Sequence, residues 1–297
     1  MALETVPNAL PIESSTPWAK LRFMTSSPIV MIASFLLLLI IAMSVFAPWL
    51  APHDPIQLVP SMRLKPPSAE YPLGTDGYGR DLLSRTLYGG RISLFIGLSA
   101  AVISVLIGLA IGLVSGFFRW ADAIIMRIMD GLMAMPSILL AIAVVALSGT
   151  SIKTVLIAIV IPEVPRVVRL VRAVVLSARE EPYVEAAIAV GSSLPKILFR
   201  HLMPNTIAPL IVQGTFICAS AILTEAILSF IGAGINPETP SWGNIMAEGR
   251  TTFQIKPSLI FVPGIVLSIA ILSINLIGDA ARDALDPRLK KREGGAH

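Results

Sequence analysis

The sequence predicts an all-α polytopic membrane protein with six transmembrane helices. Three observations point there. Of the 297 residues, 55% are hydrophobic and only 14% charged, where soluble domains carry about 25% charged residues; the mean hydropathy is +0.78. Apolar runs near the roughly 20 residues that cross a bilayer recur along the chain. Each predicted inner segment carries basic residues next to its spans, as the positive-inside bias expects. The net charge of +4 is therefore a topology signal and gives no ground for nucleic-acid binding. The lone Cys218 lies in an apolar run, which excludes an intrachain disulfide or a cysteine-based metal cluster and suits a small buried hydrophobe.

In chain order, residues 1–27 read as a cytoplasmic tail, with Trp18, Lys20, Arg22 and Phe23 suited to the membrane interface. Residues 28–50 are the first span, too long for a signal-peptide core and so a retained anchor. Lys20 and Arg22 before it place the N-terminus inside. Residues 51–91 form an outer loop of mixed charge. Its glycines at 74, 77 and 79 permit tight turns, and Asp81 favours the start of a short amphipathic helix carrying Leu82, Leu83 and Leu87. A phosphate-cradling role is excluded, because no helix with a GK[ST] follows.

Residues 92–118 are the second span. Ser104, Gly108, Gly112 and Gly116 recur every four residues and make a flat ridge for close helix approach, either within this chain, the preferred reading, or against a neighbouring subunit. Residues 123–147 are the third span, with Arg127 and Asp130 spaced to pair and Pro136 placed to kink it. The fourth span begins at Val155 and is interrupted by Pro162, Glu163 and Pro165. Arg166, Arg169 and Arg172 form a basic stripe that either snorkels and marks topology or lines a pathway. Residues 206–231 are the fifth span and contain Glu225, an intramembrane carboxylate with either a functional or a structural role. An outer loop (232–256) and a sixth span (257–277) follow. The chain then returns inside with Arg288, Lys290, Lys291 and Arg292, so both termini are cytoplasmic.

Between the fourth and fifth spans lies EPYVEAAIAVGSSLPKILFRHLMPN, residues 181–205. Pro182 ends the incoming helix and an Ala-rich helix follows over 184–190. Gly191 stops that helix, and Ser192 or Ser193 caps a second one with Pro195 in its first turn. Such a helix–turn–helix exposes small side chains suited to a groove on another protein. Catalytic patterns are absent from the sequence: there is no HExxH, GxxxxGK[ST] or GxSxG, and His53, His201 and His297 lack metal-ligand spacing. No catalytic, cofactor-binding or metal-ligating residue is expected.

Glu185-Ala186-Ala187, then Gly191, then His201-Leu202-Met203-Pro204 resembles the EAA loop of the membrane permeases of binding-protein-dependent ABC importers, with Met203 where that family usually has Leu. The string LGTDGYGRDLLSRTLYGGRISL, residues 73–94, is similar to the leading segment of the dipeptide, oligopeptide and nickel permeases, and GDAARDALDPRLKK also resembles that subfamily, in its C-type subunit. The resemblance spans about Leu73 to Lys291. It implies the type I ABC importer permease (MetI-like) fold, with a permease domain over 92–285, a coupling loop at 181–205 and a cytoplasmic tail at 286–297. It implies a non-catalytic subunit of the bacterial inner membrane that carries di- or oligopeptides, with nickel or glutathione as alternatives. The implied partners are a second homologous permease, two ATPases that hold ATP and magnesium, and an extracytoplasmic binding protein. Glu185, Ala186, Ala187, Gly191 and Pro204 become the ATPase-coupling residues, and Glu225, Asp130 and Arg166 pathway or structural candidates. The rival class is an ion-gradient-driven secondary transporter, which needs intramembrane ion ligands and often inverted repeats; Glu225, Asp130 and Glu163 are the only carboxylates available for it.

Overall fold

The computed structural model describes residues 27–285. The readings placed on residues 1–26 and 286–297, including the interface residues Trp18 to Phe23 and the basic C-terminal cluster, lie outside them. The described residues are helical for most of their length, with no strand among them. The helices are α1 (Pro28–Val45), α2 (Leu82–Phe117), α3 (Arg119–Met133), α4 (Ser137–Ser148), α5 (Ile152–Arg179), α6 (Pro182–Ala189), α7 (Leu194–Phe230), α8 (Trp242–Gly249) and α9 (Ser258–Leu285). α1, α2, α7 and α9 are each long and apolar enough to cross a membrane, and α3 with α4 passes as a broken span bent by 87°. α5 has 28 residues, about 42 Å at 1.5 Å per residue, and differs only in its charges. Counting it with the broken pair brings the crossings to six.

α2 and α5 form the central seam. A Cβ on Gly112 would lie 2.6 Å from Val171 Cβ, and one on Gly116 would lie 2.6 Å from Val175 Cβ; Gly108 meets Val167 in the same way. The three valines are fully buried. The small-residue ridge therefore packs within the chain, as preferred. Around the seam, α7 packs against α2, α5 and α9, while α1 lies on α9 and α2. α8 lies across α2, α7 and α9.

Two local expectations change. The short amphipathic helix and the second span are one 36-residue helix, α2. Gly89 and Gly90 do not break it: Gly89 lies against the Ser241–Trp242 backbone and Gly90 against Ser44 and Trp242, so close packing outweighs the glycines' weak helix propensity. Pro162 and Pro165 do not interrupt α5, because its neighbours brace it through buried Val160, Val164, Val167 and Val168. The third span does bend at Pro136, as expected, and the bend is a full break of 87° between α3 and α4. The second helix of the 181–205 stretch leads directly into the fifth span. It runs into it through a π-helical segment, Ile197–Leu202, where the missing N–H of Pro204 relaxes the hydrogen-bond ladder.

Gly112→Val should overpack the seam and cost about 1–3 kcal/mol. Thermal unfolding of the purified protein in detergent should show a lowered Tm, partly restored by Val171→Ala. An unchanged Tm would count against the seam.

Candidate functional site

The elbow between α5 and α7 is built from local signals. α5 ends at Arg179, Glu180 and Glu181 make the joint, and Pro182 opens α6. Glu185 lies in the first turn of α6, where a carboxylate suits the positive end of the helix. At the other end Gly191 has φ +79°. Its N–H donates to Ile188 O at 2.9 Å and that of Ser192 to Ala187 O at 3.0 Å, which is a Schellman closure. Ser193 stands at the cap position of the next helix, but no side-chain hydroxyl cap forms there. The helix is held by a single buried side chain, Val184, which packs in the cluster of Val175, Ala178, Ile197 and Leu202. Asn205 Nδ2 donates to Tyr183 Oη at 3.0 Å and to His201 O at 2.7 Å, tying α6 to α7.

The outward face of the elbow is small and apolar. Glu185 and Ala186 are exposed and Ala187 is partly covered. Ile188 is 46% exposed and Val190 86%. The structure thus brings Glu185, Ala186, Ala187 and Gly191 onto one short element. Pro204 lies on the neighbouring α7, next to the Asn205 tie.

The remaining candidates lie elsewhere. Asp130 accepts from Arg169 Nη2 at 2.5 Å across the α3–α5 interface; the expected partner Arg127 is not the one used. Arg172 grips Asp122 with both Nε and Nη2, the latter at 2.6 Å. Arg166 Nη1 donates to Glu163 Oε1 at 2.8 Å. The basic stripe is therefore paired at all three positions. Glu225 is fully enclosed and accepts from Ser93 (3.1 Å), Ser229 (2.9 Å) and Ser241 (2.8 Å), joining α2, α7 and the segment before α8. Beside it Trp242 Nε1 donates to Thr86 O at 3.1 Å.

One cluster was missed from sequence. Asp76 accepts from Arg80 Nε at 2.7 Å, and Arg80 Nη2 reaches Glu248 at 2.5 Å. Arg85 Nη2 donates to both oxygens of Glu248, at 3.0 and 3.1 Å. Lys256 Nζ donates to Thr75 O at 2.7 Å and also to Lys65 O. Burial pushes the Lys256 ammonium below its usual range, with Asp76 pulling the other way. Burial pushes the Glu248 carboxyl up, opposed by Arg85 and Arg80. Asp81 caps α2 by accepting from Ser84 N at 2.9 Å. Together these pin the loop before α2 to α2 and α8. Only the opposite charges of two glycine-bearing outer segments hinted at it. Among the described residues, no group of three or more His, Cys, Asp or Glu could hold a metal ion. Each intramembrane carboxylate named above is engaged by an arginine or by serine hydroxyls.

The chain is similar to known proteins over most of its length. Residues 94–291 match the family described as "Binding-protein-dependent transport system inner membrane component", and residues 16–67 match the "N-terminal TM domain of oligopeptide transport permease C". The chain is 50% identical over 271 residues to a probable peptide ABC transporter permease protein of Sinorhizobium fredii, covering 91% of this chain and 93% of that one. It is 44% identical over 261 residues to a di/tripeptide transport system permease protein of Pseudomonas aeruginosa, covering 86% of each. It is 39% identical over 292 residues to a glutathione transport system permease protein of Pectobacterium atrosepticum, covering 97% of each.

The conformation at Gly191 separates two substitutions. Nothing lies within 4 Å of a Cβ there, so Gly191→Ala bears only the left-handed backbone penalty of about 1–2 kcal/mol. Gly191→Pro also removes the bond to Ile188 O and forces φ negative. Limited proteolysis should cut the Pro variant between α6 and α7 much faster than wild type, and the Ala variant only slightly faster. Equal cutting of all three would contradict the Schellman closure.

Proposed function

The chain belongs to the family of binding-protein-dependent transport system inner membrane components, and from that premise we propose that it forms half of the translocation pathway of an ATP-driven importer of di- and oligopeptides. Membership makes it a multi-pass inner-membrane transport subunit. The observation that carries the finer reading is the elbow: α6 presents Glu185, Ala186 and the apolar Ile188 and Val190 outward, while Val184 locks it to the ends of α5 and α7. A subunit with no nucleotide motif of its own needs such a handle for another chain.

In the proposed cycle two ATPases, which bind the ATP and magnesium, dock on α6 of this chain and on a second, homologous permease. Their closure moves α6, and α5 and α7 follow because α6 is seated on both. The bundle passes between two global states biased by the nucleotide. Glu185 orients or pairs the elbow, Ala186 and Ala187 allow close approach, Gly191 makes the turn and Pro204 sets the angle of α7. Glu225 and Asp130 act structurally, through the serine clamp and the α3–α5 pair. A binding protein delivers substrate from outside, and both termini are cytoplasmic. The divisions at 1–27, 28–50, 51–91, 92–285 and 286–297 are the corresponding topological units.

Peptide is favoured as cargo by relatives named for peptides and for di- and tripeptides. Glutathione, itself a peptide, is the second reading, on the relative named for it. The ion-gradient alternative is weakened because Glu225 is enclosed by serine hydroxyls and Asp130 is paired with Arg169.

Proteoliposomes holding this chain with its partner permease, ATPases and binding protein should take up a labelled dipeptide only with internal-face ATP. Glu185→Ala should lower that uptake at least about tenfold, the worth of a charged hydrogen bond. Uptake that persists without ATP under an ion gradient would overturn the proposal.

A further inference from the structure

One side of the bundle is polar at membrane depth. Between α5, α7 and α9 lies a cavity of 310 Å³ lined by Glu163, Arg166, Gln213, Phe216, Ser220 and Asn275. It shares Gln213 and Phe216 with a 610 Å³ space that reaches Asn205 and Arg282. That space shares Asn205 and Pro209 with a 680 Å³ space ending at Tyr183 and Glu181, beside α6. The three make one groove from the interior of the bundle to the elbow. Glu163 lies about 17 Å from the start of α5 and about 24 Å from its end, at 1.5 Å per residue, so the upper cavity sits near the middle of the bilayer. Other faces of the chain are plainly fit for lipid, with Leu38, Phe95, Leu98, Leu106 and Phe261 all more than half exposed. Polar side chains at this depth face protein or water rather than lipid.

The pair in this cavity differs from its neighbours on the same helix. Arg169 and Arg172 reach across to acids on α3 and fix the bundle. Arg166 instead bonds a residue of its own helix, three positions back, through one nitrogen. Its side chain is 48% exposed, and that of Glu163 is 8% exposed. Breaking this pair would therefore release no helix from another. A guanidinium has five donors, and the others are available to the groove. Neutral amides and a hydroxyl, from Gln213, Asn275 and Ser220, surround a carboxylate and a guanidinium in one small space.

We propose that Glu163 and Arg166 are the specificity-determining residues of the pathway: they separate to take the ammonium and carboxylate ends of a passing peptide, and re-pair behind it. This rests on the peptide-permease reading above. The chemistry fits a zwitterion, because the site offers one charge of each sign with no net charge. Gln213 and Asn275 offer donors and acceptors to the peptide bond, and Phe216 offers an apolar wall. The internal ion pair competes with the cargo, which keeps binding weak enough for release, as conduction requires. The volume lies at the small end of ligand sites.

The test uses the complete transporter in proteoliposomes with its binding protein unaltered, so that any change in selectivity belongs to the membrane pathway. Uptake of alanylalanine and of its N-acetyl derivative is compared at saturating concentration. Glu163→Gln should lower uptake of the free dipeptide about tenfold and leave the acetylated one within about twofold. Arg166→Gln should lower uptake of both, and Arg166→Lys should restore most of it. A second measurement is independent of what the binding protein accepts. In a Cys218→Ala background, cysteines at Ser220 and Asn275 should react with a small water-soluble thiol reagent, and millimolar alanylalanine should slow that reaction. Equal loss for both peptides in Glu163→Gln, unchanged uptake in both charge-neutral variants, or thiols unreactive with and without nucleotide would each overturn the inference. Absence of any peptide uptake by the wild-type assembly would instead overturn the functional reading beneath it.

Discussion

The distance between α2 and α5 is the constraint on which the rest depends. In a bilayer, apolar side chains gain little by leaving lipid for a neighbouring helix, so close van der Waals contact has to hold helices together. Gly108, Gly112 and Gly116 supply that contact by leaving room for Val167, Val171 and Val175. Val175 belongs to the same buried cluster as Val184 of α6. The seam and the elbow thus share one buried packing cluster, which seats α6 against α5.

Charge is handled differently at each depth. At the end of the bundle away from α6, Asp76, Arg80, Arg85 and Glu248 tie the loop before α2 to α8, and Glu225 is closed in by three serines. Further in, Arg169 and Arg172 hold α3 against α5. Buried pairs of this kind add little net stability but are costly to break, so they fix geometry more than they strengthen the fold. The result is a braced outer platform and a compact lever at the opposite end. Glu163 and Arg166 stand between them, at the inner end of the groove that leads to the elbow.

Much of this was legible in the sequence where the signal was local. The apolar lengths of α1 and α9, the four-residue ridge on α2 and the stop at Gly191 depend on near neighbours in the chain, and the structure has them. Features decided by distant contacts were not legible. Pro162 and Pro165 read as breaks, yet the surrounding helices keep α5 intact. The outer-loop helix and the second span read as separate elements, yet they are one helix that runs through Gly89 and Gly90, the close-approach points for Trp242. Asp130 had a plausible partner three residues away, and the rotation of α3 turned it toward Arg169 instead. The network around Glu248 joins residues more than 160 positions apart, which spacing alone cannot reveal. At the elbow, the composition of residues 181–205 foretold the first helix and its end. The merging of the second helix into α7 depended on how the chain adjusts around Pro204.

The central claim is that a bundle without chemistry of its own is moved by force applied at α6. Its most direct test is contact at that helix. With Cys218 replaced by Ala, a single cysteine at Ala186 or Ala189 should crosslink through a short bifunctional thiol reagent to the nucleotide-hydrolysing subunit of the assembled transporter. The same reagent should give no such product from a cysteine at Leu98, on the exposed middle of α2. Absence of the product from both Ala186 and Ala189 in an assembly that still transports would contradict the account.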